Sequence, residues 1–172
     1  LQTLFALAFA LWMISDVSPL PASLRSQLFV PFMKDSVLDL GWFFVVYAVF
    51  VILAVSNSVN FSDGMDGLAS MPMAVSFTVY AVFAYVIGNM AFSSYLQFEY
   101  IAGAGELAVL AGAIVGALLG FLWYNFFPAQ IFMGDTGSLS LGGTLAVVMI
   151  MLKQELLFLI VGGIFVVEGA SV

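Results

Sequence analysis

Asn57-Ser58-Val59-Asn60-Phe61-Ser62-Asp63-Gly64-Met65-Asp66-Gly67-Leu68-Ala69 sets two Asp, two Asn and two Gly between long apolar runs. Within it, an oxygen-bearing polar side chain recurs every third residue, at Asn57, Asn60, Asp63 and Asp66. Positions three apart share one face of a helix or of a tight 3₁₀-like turn, so the four side chains form a single stripe. No Lys, Arg or His stands nearby in sequence to neutralise it. The stripe calls for a cation that the chain itself does not supply.

The apolar runs around it define the class of protein. Of 172 residues, 64% are hydrophobic and 8% charged, whereas a soluble domain averages about 45–50% apolar and roughly 25% charged. An all-α, polytopic transmembrane bundle is expected, and the lipid bilayer is its first partner. With no Cys there is no disulfide framework and no thiol chemistry. Ten acids against three bases, Arg25, Lys34 and Lys153, give a net charge of -7. That balance excludes nucleic acid as a partner, since binding it requires a basic patch.

Outward from the stripe, the chain divides into spans and connectors. Leu1 to about Ser15 is too short to cross alone, since a crossing takes about 20 apolar residues. It is expected to be the end of a helix whose start is missing. Asp16 to Leu40, with Pro19, Pro21 and Pro31, reads as a water-facing connector in which Gln27-Leu28-Phe29-Val30 forms a short extended segment. Gly41 to Ser56 and Leu68 to Ile87 are the next spans, the second with Pro72 in its first turns, where a missing N–H costs little.

Gly88 to Gly105 is another connector, and Glu106 to Tyr124 a fourth span carrying Gly112, Gly116 and Gly120. Small residues at that spacing form a ridge that lets membrane helices approach closely. Asn125 to Ser138 is a second polar loop, Leu139 to Leu152 a short fifth span, Lys153-Gln154-Glu155 a turn, and Leu156 to Val172 the start of a sixth. Residues 1–172 thus read as one transmembrane domain of about five to six spans. The chain has no initiator Met, and both ends fall inside apolar runs, so an internal fragment of a longer protein is expected. Counting crossings places the loops at 57–67 and 125–138 on one face of the membrane, with all three bases on the other.

Asp63, Asp66 and Asp135 should therefore meet, with Asn57 and Asn60, at one membrane face. Such a set suits a hard divalent cation: Mg²⁺ takes oxygen ligands, keeps some waters and usually binds through one or two carboxylates plus substrate phosphates. Each loop also runs into a new helix, whose N-terminus offers free N–H groups and partial positive charge to a phosphate. Asp-Gly pairs also form ordinary turns, and Thr136 or Ser138 could simply cap the following helix. Two such loops on one face point instead to chemistry on a diphosphate at a membrane surface. Glu168, inside an apolar run, is a further candidate by position, either functional or in a buried hydrogen-bonded pair.

At these residues the chain resembles the bacterial polyprenyl-phosphate N-acetylhexosamine-1-phosphate transferases. Two stretches carry the resemblance: Asn57 through Ala69, and Asn125 through Gly143, above all Pro128-Ala129-Gln130-Ile131-Phe132-Met133-Gly134-Asp135. The stretch from Asn125 is more similar to the muramoyl-pentapeptide branch than to the GlcNAc-1-phosphate branch. The resemblance implies transfer from UDP-MurNAc-pentapeptide to undecaprenyl phosphate with Mg²⁺, giving lipid I and UMP. It implies a multi-pass protein of the bacterial inner membrane with its site facing the cytoplasm, against the charge rule applied to the three bases. A homodimer is compatible with it.

By the same resemblance Asp135 would ligate Mg²⁺, and Asp63 would lie in the catalytic cleft with Asn60 beside it. Gly64, Met65, Asn125 and Phe132 would line a uridine pocket, with Phe132 stacked on the base and with Asn57 and Asp66 on the substrate side. Ser138 would sit near metal and phosphates. Two family features are absent: an adjacent Asp pair on an earlier helix and a His-rich loop near the C-terminus. The fragment alone is therefore expected to be inactive. The alternatives are a sister transferase using UDP-GlcNAc and, from another class, an ion-coupled transporter, whose polar residues would interrupt spans rather than end them.

Overall fold

A computed structural model describes residues 1–30, 37–64 and 67–171. Met65 and Asp66, both expected in the site, lie outside the described residues. Helix α1 (Gln2–Ile14) is followed by a two-stranded antiparallel hairpin, β1 (Gln27–Phe29) and β2 (Val37–Asp39), with Leu28 opposite Leu38. Then come α2 (Phe43–Ser62), α3 (Ser70–Ile87), α4 (Met90–Leu96), α5 (Ala104–Asn125), α6 (Gly134–Met151), α7 (Phe158–Val161) and α8 (Gly163–Ser171).

Four of these, α2, α3, α5 and α6, are long and apolar enough to cross a membrane, since 20 residues at 1.5 Å each span about 30 Å. They are apolar all round, as helices that meet lipid on one flank and protein on the other must be. The all-α polytopic class stands. The last apolar run departs from expectation: it is not one span, because the helix breaks at Gly162 between α7 and α8.

The helix boundaries also differ from those expected, and for one reason. Helix α2 does not stop at Ser56 but continues to Ser62, carrying Asn57 and Asn60 within it. Helix α6 starts at Gly134 rather than at Leu139, taking Asp135 and Ser138 into its first turns. Polar residues on one helical face resemble a loop when taken in linear order, yet the backbone hydrogen bonds stay intact beneath them. Connector 88–105 likewise contains α4, whose N-cap Asn89 accepts from the N–H groups of Ala91 at 3.0 Å and Phe92 at 3.3 Å.

Packing pairs α3 with α5 and α2 with α6, while α1 and α8 flank α2. Helices α2 and α6 approach closely at Gly142: a Cβ there would stand 2.8 Å from the Ser56 Cα and 3.0 Å from the Val59 Cβ. Ser56 fastens the same contact, its Oγ donating to the Leu139 carbonyl at 2.8 Å and accepting from the Gln2 side chain at 3.1 Å. By contrast, Cβ atoms added at Gly112, Gly116 and Gly120 would meet nothing within 4 Å. The small-residue ridge expected to pack α5 is therefore open among the described residues. Glu168 is half-buried on α8, whose Gly169 lies against Ser58 of α2.

At the turn after α6, Lys153 is 2% exposed and adopts φ 57, in the left-handed region. Its Nζ donates to the Arg25 carbonyl at 2.9 Å and lies 3.9 Å from the centre of the Phe44 ring, a contact that suits a cation over an aromatic face. Tyr80 donates its hydroxyl to the Gln154 carbonyl at 3.1 Å. Glu155 is 4% exposed, and neither carboxylate oxygen has a hydrogen-bond partner among the described residues.

Burial pushes the Glu155 carboxyl up from the usual 4.5 to about 7, against the opposing pull of Lys153. The folded protein thus holds this proton more tightly than the unfolded chain does. Stability linked to Glu155 is full below pH 4.5 and is lost as pH rises towards about 7. Thermal unfolding of the detergent-solubilised parent between pH 4.5 and 7 should show this fall, and Glu155→Gln should flatten it. Separately, Gly142→Ala should lower stability by about 1–3 kcal/mol through overpacking against α2, read as a drop in thermal midpoint.

Candidate active site

The end of α2 and the start of α6 meet. Ser138, fully buried, donates its hydroxyl to the Asn60 side-chain oxygen at 2.5 Å across 78 residues of sequence. The Gly134 carbonyl lies 3.1 Å from the same hydroxyl. Gly134 has φ +68, which favours glycine, and its backbone N–H hydrogen-bonds the Asp63 carboxylate. Asp63 follows the last residue of α2, and Asp135 is exposed in the first turn of α6. One acid therefore sits at a helix C-terminal end, where the macrodipole opposes it, and the other at an N-terminal end, where it is favoured.

Burial raises the Asp63 pKa above its ordinary value. The Gly134 hydrogen bond opposes that rise, and the nearby Asp135 charge adds to it. A carboxylate whose ionisation is opposed by burial and by a neighbouring acid is relieved by a nearby cation. The donor set, Asp63 and Asp135 beside the Asn60 and Ser138 oxygens, is hard oxygen throughout and fits Mg²⁺. Among the described residues no cluster of three or more acids, His or Cys gathers.

The second convergence is at Asn125, the last residue of α5 and only 2% exposed. Its Oδ1 accepts from the Gly67 N–H at 3.1 Å and from the Ser70 hydroxyl at 2.8 Å. Its Nδ2 donates to the Ile131 carbonyl at 2.9 Å. Phe132, the residue after Ile131, is 59% exposed and open to a planar ligand. Gly64 and Gly67 border an open, mostly apolar cleft of about 570 Å³ between α3 and α5, with Leu68, Met71, Leu122 and Phe126 on its walls. Asn57 turns an amide N–H onto its own helix, donating to the Leu53 carbonyl at 2.7 Å.

The structure thus brings Asn60, Asp63, Asp135 and Ser138 into one group, and Asn125 with the residue before Phe132 into another. Ser70 was missed in the sequence. A lone Ser directly after the Leu68-Ala69 pair carries no signal until its partner, 55 residues away, is known.

Residues 1–153 match the family described as glycosyl transferase family 4, and the chain belongs to that family. Its four apolar helices and bacterial relatives make it a bacterial membrane protein. Among those relatives, the phospho-N-acetylmuramoyl-pentapeptide-transferase of Desulfotalea psychrophila (strain LSv54 / DSM 12343) is 57% identical over 146 residues, covering 85% of this chain and 41% of that protein. The transferase of the same name from Pelobacter propionicus (strain DSM 2379 / NBRC 103807 / OttBd1) is 55% identical over 148 residues, 86% of this chain and 41% of its own length. That of Desulfosudis oleivorans (strain DSM 6200 / JCM 39069 / Hxd3) is 57% identical over 148 residues, again 86% of this chain and 41% of its own length. The chain spans about two fifths of the length of these relatives.

Removing the hydroxyl that joins the two acidic helix ends should weaken the fold as well as the site. Ser138→Ala leaves Asn60 without this donor and should cost about 1 kcal/mol, measured by thermal or denaturant unfolding of the parent protein in detergent.

Proposed function

We propose that the protein containing this chain transfers phospho-MurNAc-pentapeptide from its UDP donor to undecaprenyl phosphate, giving lipid I and UMP. The observation that carries this reading is the pairing of Asp63 with Asp135 at the ends of two membrane helices, fastened by Gly134 N–H and by Ser138–Asn60. The names of relatives 55–57% identical support phospho-N-acetylmuramoyl-pentapeptide as the group transferred, and the UDP donor and undecaprenyl phosphate acceptor are those the family resemblance implies. An oxygen of the lipid phosphate attacks the β-phosphorus of the donor, and the bridging P–O bond to UMP breaks as the new P–O bond forms.

Asp135 would hold Mg²⁺ with Asp63 close by, and that ion supplies Lewis-acid polarisation of the diphosphate when bound. The chain's own residues do the positioning. Gly134 N–H fixes one face of the Asp63 carboxylate, Asn60 keeps its register through Ser138, and the first turn of α6 presents its free N–H groups towards anionic oxygens. The exposed Phe132 ring would stack on the uracil, with Gly64 and Asn57 on the substrate side. The acidic face lies towards the cytoplasm, where a soluble nucleotide donor is supplied.

The test is UMP release by the full-length parent in detergent, with undecaprenyl phosphate and either UDP-MurNAc-pentapeptide or UDP-GlcNAc, each with Mg²⁺ and with chelator. Mg²⁺-dependent turnover of the first donor is expected. Turnover of UDP-GlcNAc alone, or of neither donor, would overturn the reading. Asp135→Asn should lower kcat by at least about a hundredfold, the scale on which electrostatic groups act in such sites. Unchanged turnover would remove Asp135 from the metal role.

A further inference from the structure

We infer that Ser70 is a positioning residue for the donor side of this site, acting through Asn125 to set the loop that ends in Phe132. The inference rests on the proposed function. Ser70 opens α3 with no exposed surface, and its hydroxyl donates to Asn125 Oδ1 at 2.8 Å. The orientation of the Asn125 amide is dictated by its neighbours. The Gly67 N–H can only donate, at 3.1 Å, and the Ile131 carbonyl can only accept, at 2.9 Å. Oδ1 must therefore face Gly67, and the Ser70 hydroxyl beside it must be the donor.

One amide consequently joins three stretches of backbone: the exit of the first acidic loop at Gly67, the end of α5, and the segment that delivers Phe132. Gly67 is held close besides, with φ +71 and the Asn125 carbonyl 3.7 Å from where a Cβ would stand. Asn125 itself, 2% exposed, spends its oxygen on two protein donors and so has no acceptor left for a ligand. Through its Nδ2 bond to the Ile131 carbonyl, Asn125 acts on a nucleotide by way of the loop that carries Ile131 and Phe132. Ser70 adds the second hydrogen bond that keeps Oδ1 from rotating. The hydrogen bonds of this clasp include neither Asp63 nor Asp135, so it tunes donor placement apart from the acidic pair.

Ser70→Ala in the full-length parent should raise KM for the UDP donor about fivefold, the worth of one hydrogen bond, and weaken inhibition by UMP by the same factor. The KM for undecaprenyl phosphate, the Mg²⁺ dependence and kcat at saturating donor should hold. Ser70→Cys, close in volume and a weak donor, should fall between and supplies the same readout if the Ala variant does not fold. In an Asn125→Ala background, Ser70→Ala should add nothing further, since the two act as one unit.

A donor KM and UMP inhibition equal to wild type, with only the thermal midpoint lowered, would overturn the inference in favour of a purely structural bond. So would an additive effect in the double variant. Absence of turnover in the wild-type parent would instead strike the proposed function. Binding of UMP alone, measured by calorimetry, would then still decide whether Ser70 acts on a nucleotide.

Discussion

Helix α6 can lie on α2 only because residue 142 has no side chain. At that crossing the Ser56 Cα stands 2.8 Å from where a Cβ would be, and van der Waals contact between two backbones fixes their separation more rigidly than interleaved side chains would. The polar face follows from this separation. One helix end delivers Asn60 and Asp63, the other delivers Gly134, Asp135 and Ser138, and the Ser138–Asn60 bond of 2.5 Å needs the axes this near. Ser56, donating to Leu139, closes the same interface towards the middle of the bundle.

The two ends of the bundle handle charge in opposite ways. At the acidic face, carboxylates gather without a basic partner among the described residues, and partial burial of Asp63 beside Asp135 opposes its ionisation. Beyond α6, Lys153 is spent on the Arg25 carbonyl and the Phe44 ring, while the buried Glu155 carboxylate has no hydrogen-bond partner among the described residues. That end is closed by burial and neutralised from within. The acidic end presents open polar surface to a ligand, next to an apolar cleft that carries Gly64 and Gly67 on its rim.

Two fastenings of different chemistry organise the candidate site. The Asp63–Asp135 region is built on helix ends and on charge. The Asn125 clasp is neutral and buried, and depends on the geometry of obligate donors and acceptors. The first is suited to chemistry on phosphate and the second to holding a loop in place.

Much of this was legible in the sequence. Long apolar runs identify membrane helices because a span without water must satisfy its backbone internally, and the three-residue repeat of Asn57, Asn60 and Asp63 marks one helical face. Linear pattern failed where a helix carries polar residues on a single side, at 57–62 and 134–138, and where Gly162 divides an apolar run that hydropathy treats as continuous. It gave no sign of Gly142, which makes the α2–α6 contact, while Gly112, Gly116 and Gly120 meet nothing within 4 Å among the described residues. The sequence by itself determined the membrane class, the crossing helices and the acidic chemistry, because these depend on composition and on neighbours three or four residues away. Only the tertiary structure decided that Ser138 meets Asn60, that Ser70 and Gly67 meet Asn125, and that the Gly134 N–H holds the Asp63 carboxylate. Those partners lie on different helices, and which atoms meet depends on axis separations that no local pattern encodes.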